Sequence, residues 1–179
     1  MQSYYEANSA KVRDSISIVM DSLGLTANGS IIPIEQSSSL AFSWLDMYCG
    51  IDWLLKTNDG HVLGIAARIQ LTHPEYYHDP HNTFTIRFDT VSGARTEYAK
   101  RLEAIEKGYF YPFYTLQAYC KQESPTEFLS GALIKTKDLF DFVINYPWLV
   151  TEDRRDNSFK VARWRDIKRC GYDILICGD

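Results

Sequence analysis

The chain has 179 residues, of which 45% are hydrophobic and 23% are charged, and its formal net charge is −4. These values are typical of one globular domain, which we expect to span residues 1–179, and they exclude wholesale disorder and a surface that is basic throughout. No run of about 18 apolar residues is present to cross a bilayer, and the N-terminus lacks the basic and apolar regions of a signal peptide. We therefore expect a cytoplasmic protein without membrane contact.

The first part of the chain predicts a helix followed by an irregular connection. Apolar residues recur at helical spacing from about residue 4 to residue 23, and Gly24 is a natural stop. Residues 29–39 contain a proline and several small polar residues, which predicts a connection without regular structure.

A hairpin comes next, and we place its strands at residues 50–55 and 61–70, joined by a tight polar turn. Side chains alternate across a strand, so Asp52 opposes the apolar face of the first strand, while Arg68 and Gln70 share one face of the second. An acid, a cation and an amide at the rim of a hairpin are more typical of a binding or catalytic site than of a core.

The remaining elements are predicted to be a mixture of strands and helices. In chain order they are a loop at 72–82, a strand at 83–88, a helix at 96–105 ended by Gly108, a strand formed by extended chain at 109–120, a strand at 131–134, a helix from Thr136, a strand at 158–162, a helical turn at 164–169 and a strand at 172–177. We expect an α/β fold with a mixed central sheet and helices on its faces. The aromatic run at 109–114 is expected to pack in the core, with base stacking as the alternative.

The order helix, strand, strand, strand, helix, strand resembles the common core of the restriction-endonuclease-like nucleases, the PD-(D/E)XK superfamily. The resemblance covers about residues 4–120, with an α/β extension at 121–179. Asp52 matches the first-strand Asp of that family, and Ala66-Ala67-Arg68 stands where the family carries an acid-x-Lys triplet. The resemblance implies hydrolysis of DNA with Mg²⁺ or Mn²⁺ as cofactor.

On that resemblance, Asp52 is a metal ligand, Gln70 is an auxiliary ligand and Arg68 is a phosphate clamp. Because position 66 is alanine, the second acid must come from elsewhere. The candidates are Glu6, Glu35 and Asp46. The residues expected to contact nucleic acid are Arg87, Lys100 and Arg101.

Plainer interpretations of these residues stay open. Asp52 fits a hydrogen-bond acceptor at a strand end or a structural ion-pair partner of Arg68. An exposed helical face explains Lys100 and Arg101 without any ligand. Ala66 also favours a non-catalytic descendant of the nuclease fold that binds a protein or nucleic acid, such as a phage-defence or counter-defence factor.

Two other groups of residues invite a function. The histidines at 73, 78 and 81, with Glu75 and Asp79 between them, predict either a metal site of imidazole and carboxylate groups or a mobile loop that faces a substrate. A cluster of basic residues near the C-terminus is interpreted as a solvated face balanced by neighbouring acids. Its members are Arg154, Arg155, Lys160, Arg163, Arg165, Lys168 and Arg169.

The four scattered cysteines predict reduced thiols.

Overall fold

The computed structural model describes residues 12, 15–34, 40, 42, 45–90, 93, 95–154 and 157–178. Among these residues, the continuous α-helices are α1 (15–22), α2 (Glu97–Lys107), α3 (Thr136–Asn145) and α4 (Trp164–Arg169), and Leu45–Cys49 forms one turn of π-helix. The strands are β1 (Gly29–Pro33), β2 (Trp53–Thr57), β3 (Val62–Thr72), β4 (Thr83–Thr90), β5 (Tyr114–Lys121), β6 (Phe128–Lys135), β7 (Val150–Arg154), β8 (Asn157–Arg163) and β9 (Ile174–Cys177). The predicted metal ligand Glu35, and Glu6 with the start of the predicted first helix, lie outside the described residues.

The main sheet has six strands in the order β1-β2-β3-β5-β6-β9. Strands β3 and β5 run parallel, and every other neighbouring pair is antiparallel. A parallel pair needs a crossover connection, and the segment that contains β4 and α2 provides it. The predicted α/β fold with a mixed sheet is confirmed.

A second, antiparallel sheet has the order β4-β8-β7. The strand predicted at 83–88 exists, but its expected place in the central sheet is wrong, because β4 pairs with β8. Strand β7 is an element that the sequence pattern does not predict. Its partner β8 and the strands β6 and β9 all come from the C-terminal extension, which therefore contributes to both sheets.

The predicted irregular connection at 29–39 is wrong over its first five residues, which form β1 and pair with β2. Glycine and proline indicate a break, yet both fit this strand for specific reasons. A Cβ at Gly29 would collide with the carbonyl oxygen of Lys56, so only glycine allows the close approach. Pro33 is the last residue of a strand at the sheet edge, where its missing N–H costs little.

Apolar side chains cover both faces of the main sheet. On one face, Val19 of α1 packs with Trp53 and Leu116. On the other, Phe140 of α3 and Trp164 of α4 pack with Phe84 of β4 and with the buried end of β5. Since residues of β5 alternate between the faces, its odd-numbered side chains point toward β4.

The aromatic run at 109–114 does not pack as expected. Tyr109 is 60% exposed and Phe110 is 62% exposed, because this segment is a connection between the Gly108 cap of α2 and β5. All four cysteines are free thiols, as predicted. Among the described residues, no helix is both long and apolar enough to cross a membrane.

Candidate functional site: a pocket lined by arginines

Polar residues gather where β3 and β5 face β4. Arg68 and Gln117 are neighbours in the parallel register of β3 and β5. Across from them, the Thr85 hydroxyl lies 3.2 Å from Oε1 of Gln117, and the Thr85 N–H donates to the same oxygen at 3.4 Å. The predicted sharing of one face by Ala66, Arg68 and Gln70 places this polar strip on the side of the sheet that β4 covers.

Arg68 is anchored by both ends of its guanidinium. Its Nη1 donates to the hydroxyl of Thr85 at 2.7 Å and to the Thr85 carbonyl at 2.9 Å. Its Nη2 lies 3.0 Å from Oε2 of Glu97. The side chain therefore ties the main sheet to β4 and to α2, and the carboxylate that it pairs with is Glu97.

Glu97 is the central acid of the site. It is the first residue of α2, directly after Thr96, whose side chain caps the helix by accepting from the Ala99 N–H. Its Oε1 lies 2.6 Å from Nη1 of Arg101 one turn later. Burial by itself raises the pKa of the Glu97 carboxyl, but Arg101 and Arg68 outweigh it, so the pKa lies below its usual value and the group stays ionised.

Glu97 does not stand out in the sequence, where it begins a helix rich in charged residues. The sequence signal at this position is the spacing of Thr96, Glu97 and Arg101, which places an acid in the first turn of a helix and a cation four residues later. That pattern predicts a stable helix. It does not predict that Arg68 also contacts Glu97, or that Glu97 and Arg101 border a cavity.

A cavity of about 500 Å³ opens beside these residues, and we name it the arginine pocket. Its charged lining consists of five cationic side chains and three carboxylates. They are Arg68, Arg87, Arg95, Lys100 and Arg101, with Asp46, Asp52 and Glu97. Six of the residues singled out from the sequence therefore border one cavity: Asp46, Asp52, Arg68, Arg87, Lys100 and Arg101.

Buried donors in this pocket lack partners. Arg101 is only 6% exposed and its Nε has no hydrogen-bond partner, while its Nη1 is ion-paired with Glu97. Gln117 is 1% exposed, and its Nε2 also has none. An unsatisfied buried donor costs about 1 to 3 kcal/mol, and more when charged. Such groups are expected where a ligand supplies the missing acceptors.

The backbone leaves room beside Arg101. Gly50 has φ +65°, and a Cβ placed there would lie 3.7 Å from Nη2 of Arg101 and 3.9 Å from its Nε. A larger side chain would stand directly against the guanidinium edge. Glycine at this position keeps that edge open to the pocket.

Asp52 lies just before β2, which begins at Trp53 rather than at residue 50 as predicted. Its Oδ2 accepts a hydrogen bond from the Ala67 N–H at 2.6 Å, and its own N–H donates to the Ile65 carbonyl at 2.9 Å. The interpretation of Asp52 as an acceptor at a strand end agrees with this geometry.

Gln70 does not border the arginine pocket. It is exposed and lines a neighbouring cavity of about 550 Å³, together with His81. His73 caps a short helical turn by accepting from the Glu75 N–H at 3.4 Å. Over the part of the chain that the structure describes, no three His, Cys, Asp or Glu side chains are arranged to hold a metal ion.

The donor set of the pocket fits an anion better than Mg²⁺ or Mn²⁺. Glu97 is held by two arginines, and one oxygen of Asp52 is used by the backbone of β3, which leaves few oxygens for a cation. Five cationic groups repel a divalent ion from the same space. The arrangement can bind phosphate or carboxylate groups through forked, charge-assisted hydrogen bonds.

No protein-family model, no curated protein and no solved structure matches this chain.

Proposed function

We propose that the protein binds nucleic acid without cleaving it, with a backbone phosphate held in the arginine pocket. The observation that carries this proposal is the pair of buried donors without partners, Arg101 Nε and Gln117 Nε2, at a cavity with five cationic side chains. Phosphate contacts by Arg and Lys supply most of the affinity in nonspecific nucleic-acid binding. The net charge of −4 requires such contacts to be concentrated locally, as they are here.

The proposal includes a restriction-endonuclease-like core. If β4 is left aside, the chain runs through α1, the meander β1-β2-β3, the helix α2 and the strand β5, which is parallel to β3. This is the order helix, strand, strand, strand, helix, strand. In this arrangement β4 is an insertion that belongs to the second sheet, Asp52 precedes the second strand of the core and not the first, and residues 66–68 lie on the third strand and not the second. The order supports the resemblance, while Ala66 and Arg68 in place of an acid and a lysine support loss of catalysis.

The test is the binding of a fluorescein-labelled 20-nucleotide DNA, followed by fluorescence anisotropy. Lys100→Met removes a cation of the pocket, and Lys107→Met is the matched control on the same helix, where the lysine is exposed and pairs with Glu103. We expect Lys100→Met to weaken binding about tenfold, as loss of one charged contact does, and Lys107→Met to change it less than twofold.

Arg101→Lys tests the forked donor directly, because lysine keeps the charge and loses Nε. We expect weaker binding from a protein whose circular dichroism spectrum is unchanged. Equal affinity of Lys100→Met and Lys107→Met would contradict the proposal, as would wild-type protein that binds no nucleic acid at 50 mM salt.

Metal-dependent hydrolysis of DNA is the second candidate, favoured by the presence of Asp46 and Asp52 at the same cavity. A calorimetric titration with Mn²⁺ separates the two candidates. Saturable heat that disappears in Asp52→Ala, together with Mn²⁺-dependent cleavage of plasmid DNA, would replace the binding proposal by hydrolysis.

A further inference from the structure

The arginine pocket is the first of three adjoining cavities. The second cavity, of about 550 Å³, shares Arg68, Thr85 and Arg87 with the arginine pocket. The third, of about 560 Å³, shares His81 and Arg163 with the second. Each neighbouring pair thus has lining residues in common, and we name the three adjoining cavities together the groove.

Strand β4 runs along the groove. Asn82 borders the third cavity, Thr83 borders the second, and Thr90 borders the first. Eight residue steps separate Asn82 from Thr90, and at 3.3 Å a residue of extended chain they span at most about 26 Å. Folds that bind single strands cover about 4 to 16 nucleotides, and the length of β4 suits the lower end of that range.

The far end of the groove is basic as well. The third cavity is bordered by Arg163, Arg165 and Lys168, with Asp79 as its carboxylate. These three cations belong to the C-terminal cluster of basic residues, which the sequence pattern predicts to be a solvated face. Their position next to the second cavity extends the positive lining of the arginine pocket.

An unpartnered donor also marks this end. Trp164 is 1% exposed, borders the third cavity, and its Nε1 has no hydrogen-bond partner. Six buried side-chain N and O atoms in the described chain lack a hydrogen-bond partner, and one of them, Nη1 of Arg101, is still ion-paired with Glu97. Three of the other five belong to residues that border the groove: Nε of Arg101, Nε2 of Gln117 and Nε1 of Trp164. The missing acceptors thus recur at both ends.

The middle cavity combines aromatic and polar groups. The guanidinium carbons of Arg68 and Arg87 lie 5.3 and 5.7 Å from the centre of the Phe159 ring. The Tyr119 and Thr83 hydroxyls lie 3.0 Å apart at the same cavity, and His81 is at its edge. Proteins hold unstacked bases with this mixture of aromatic rings, arginine planes and hydrogen-bonding groups. A base inside a duplex reaches such a cavity only after it is flipped out.

We propose that the groove binds a single strand of nucleic acid. The strand lies along β4, with phosphates at the arginine pocket and at the third cavity, and an unstacked base in the middle cavity. This inference rests on the proposed function. It adds that the ligand is single-stranded and that a second phosphate site lies up to about 26 Å from the first along β4.

The experiment measures anisotropy of fluorescein-labelled probes at 100 mM salt. The probes are a 12-nucleotide oligothymidine, a 3-nucleotide oligothymidine, a 12-nucleotide oligouridine and a 12-base-pair duplex. We expect the 12-nucleotide single strands to bind at least tenfold more tightly than the duplex and the 3-nucleotide probe. The oligothymidine and oligouridine arms distinguish DNA from RNA as the source of the strand.

The matched variants are Lys168→Ala and Arg169→Ala, adjacent exposed cations on α4 of which only Lys168 borders the groove. We expect Lys168→Ala to weaken binding of the 12-nucleotide strand about fivefold and to lower its salt slope by about 1. Arg169→Ala should change neither quantity by a comparable amount. The 3-nucleotide probe, which reaches one cavity only, should bind both variants equally.

Two results would overturn the groove and leave the arginine pocket intact. One is a duplex that binds as tightly as the single strand and remains sensitive to Lys100→Met. The other is equal binding of the 12-nucleotide strand to Lys168→Ala and Arg169→Ala. Failure of every probe to bind wild-type protein would overturn the proposed function together with the groove.

Discussion

The two sides of strand β4 differ in what they bury. On one side, Phe84 and Ile86 are each 1% exposed and belong to an apolar cluster in which the Phe84 ring lies 5.9 Å from that of Trp164. On the other side, Thr85 and Arg87 border the arginine pocket, where charged groups are partly buried and some donors lack partners. One short strand therefore separates the part of the molecule that stabilises the fold from the part that we expect to bind a ligand.

The polar side of β4 is maintained against a cost in stability. Packing apolar side chains around Phe84 lowers the free energy of the folded chain without further requirements. Burying Arg101 and Gln117 raises it unless each donor is satisfied. A chain selected for stability alone gains by replacing these groups with apolar ones of similar volume. Their presence is best explained by a ligand, and substitutions on each side should have opposite signatures.

The largest effect is expected on the apolar side. Phe84→Ala removes a fully buried ring from the cluster and leaves a cavity, which should lower the free energy of unfolding by about 4 kcal/mol. Urea unfolding followed by tryptophan fluorescence measures this loss. A decrease below about 1 kcal/mol would show that the cluster collapses around the smaller side chain and that the two sides differ less than the structure indicates.

Glu97→Gln should have the next largest effect, because it leaves buried Arg101 without its counter-charge. Loss of one partner of a buried ion pair costs about 3 kcal/mol. The pKa of Glu97 is lowered in the folded protein, so its carboxylate stabilises the fold above the unfolded pKa of about 4.3, and this contribution is lost as the pH falls through the folded value. The difference in the free energy of unfolding between wild type and variant should therefore be largest at pH 7 and decrease below about pH 4.

Urea unfolding of both proteins at pH 7, 5 and 3.5 provides the measurement. Glu103→Gln is the control on the same helix, since Glu103 is partly exposed and pairs with the exposed side chains of Lys107 and Arg95, so its loss should cost about 1 kcal/mol or less at every pH. A difference for Glu97→Gln that stays constant across this pH range would contradict the ion-pair interpretation.

The sequence predicts the apolar side of β4 better than the polar side. Alternation in Thr83-Phe84-Thr85-Ile86 identifies the strand and its buried face, since period-two hydrophobicity is local. The sheet that β4 joins depends on pairing with β8, about 75 residues later in the chain, and local pattern carries no such information. Glu97 illustrates the same limit, because its role arises from contact with Arg68, which lies 29 residues earlier.

The candidate site shows the limit in another form. Residue type and strand alternation place Asp52 and Arg68 near one another, and both do border the arginine pocket. Gln70 shares the face of Arg68 as predicted, yet it borders the next cavity, because two residues along a strand amount to about 7 Å. The partners of a long side chain depend on elements packed above the sheet, so alternation alone identifies the face and leaves the contacts open.

Gln117→Met should have a small effect on stability and a larger one on binding. Methionine has a similar volume and removes a donor that lacks a partner, while the hydrogen bonds lost from Thr85 are long, at 3.2 and 3.4 Å. We expect the free energy of unfolding to change by less than about 1 kcal/mol and the affinity for a 12-nucleotide single strand to fall about fivefold. A variant that is less stable and binds normally would assign Gln117 a structural role only.

The smallest effect is a difference in labelling rate between two cysteines. Burial raises the pKa of the Cys120 thiol to about 11, although Ser15 lowers it slightly, so Cys120 should not react with a disulfide reagent at pH 8 until the chain unfolds. Cys49 is half-buried at the edge of the arginine pocket, and burial raises its pKa as well, so slow labelling is expected.

A bound oligonucleotide should slow the labelling of Cys49 further and leave Cys120 unchanged, because only Cys49 borders the pocket. Peptide mass spectrometry after timed quenching resolves the two sites, with the half-buried Cys170 as a control outside the pocket. If ligand slows labelling at Cys49 and Cys170 alike, it acts by stabilising the whole fold, since opening reactions throughout the chain are then suppressed together. Selective protection of Cys49 places the ligand on the polar side of β4.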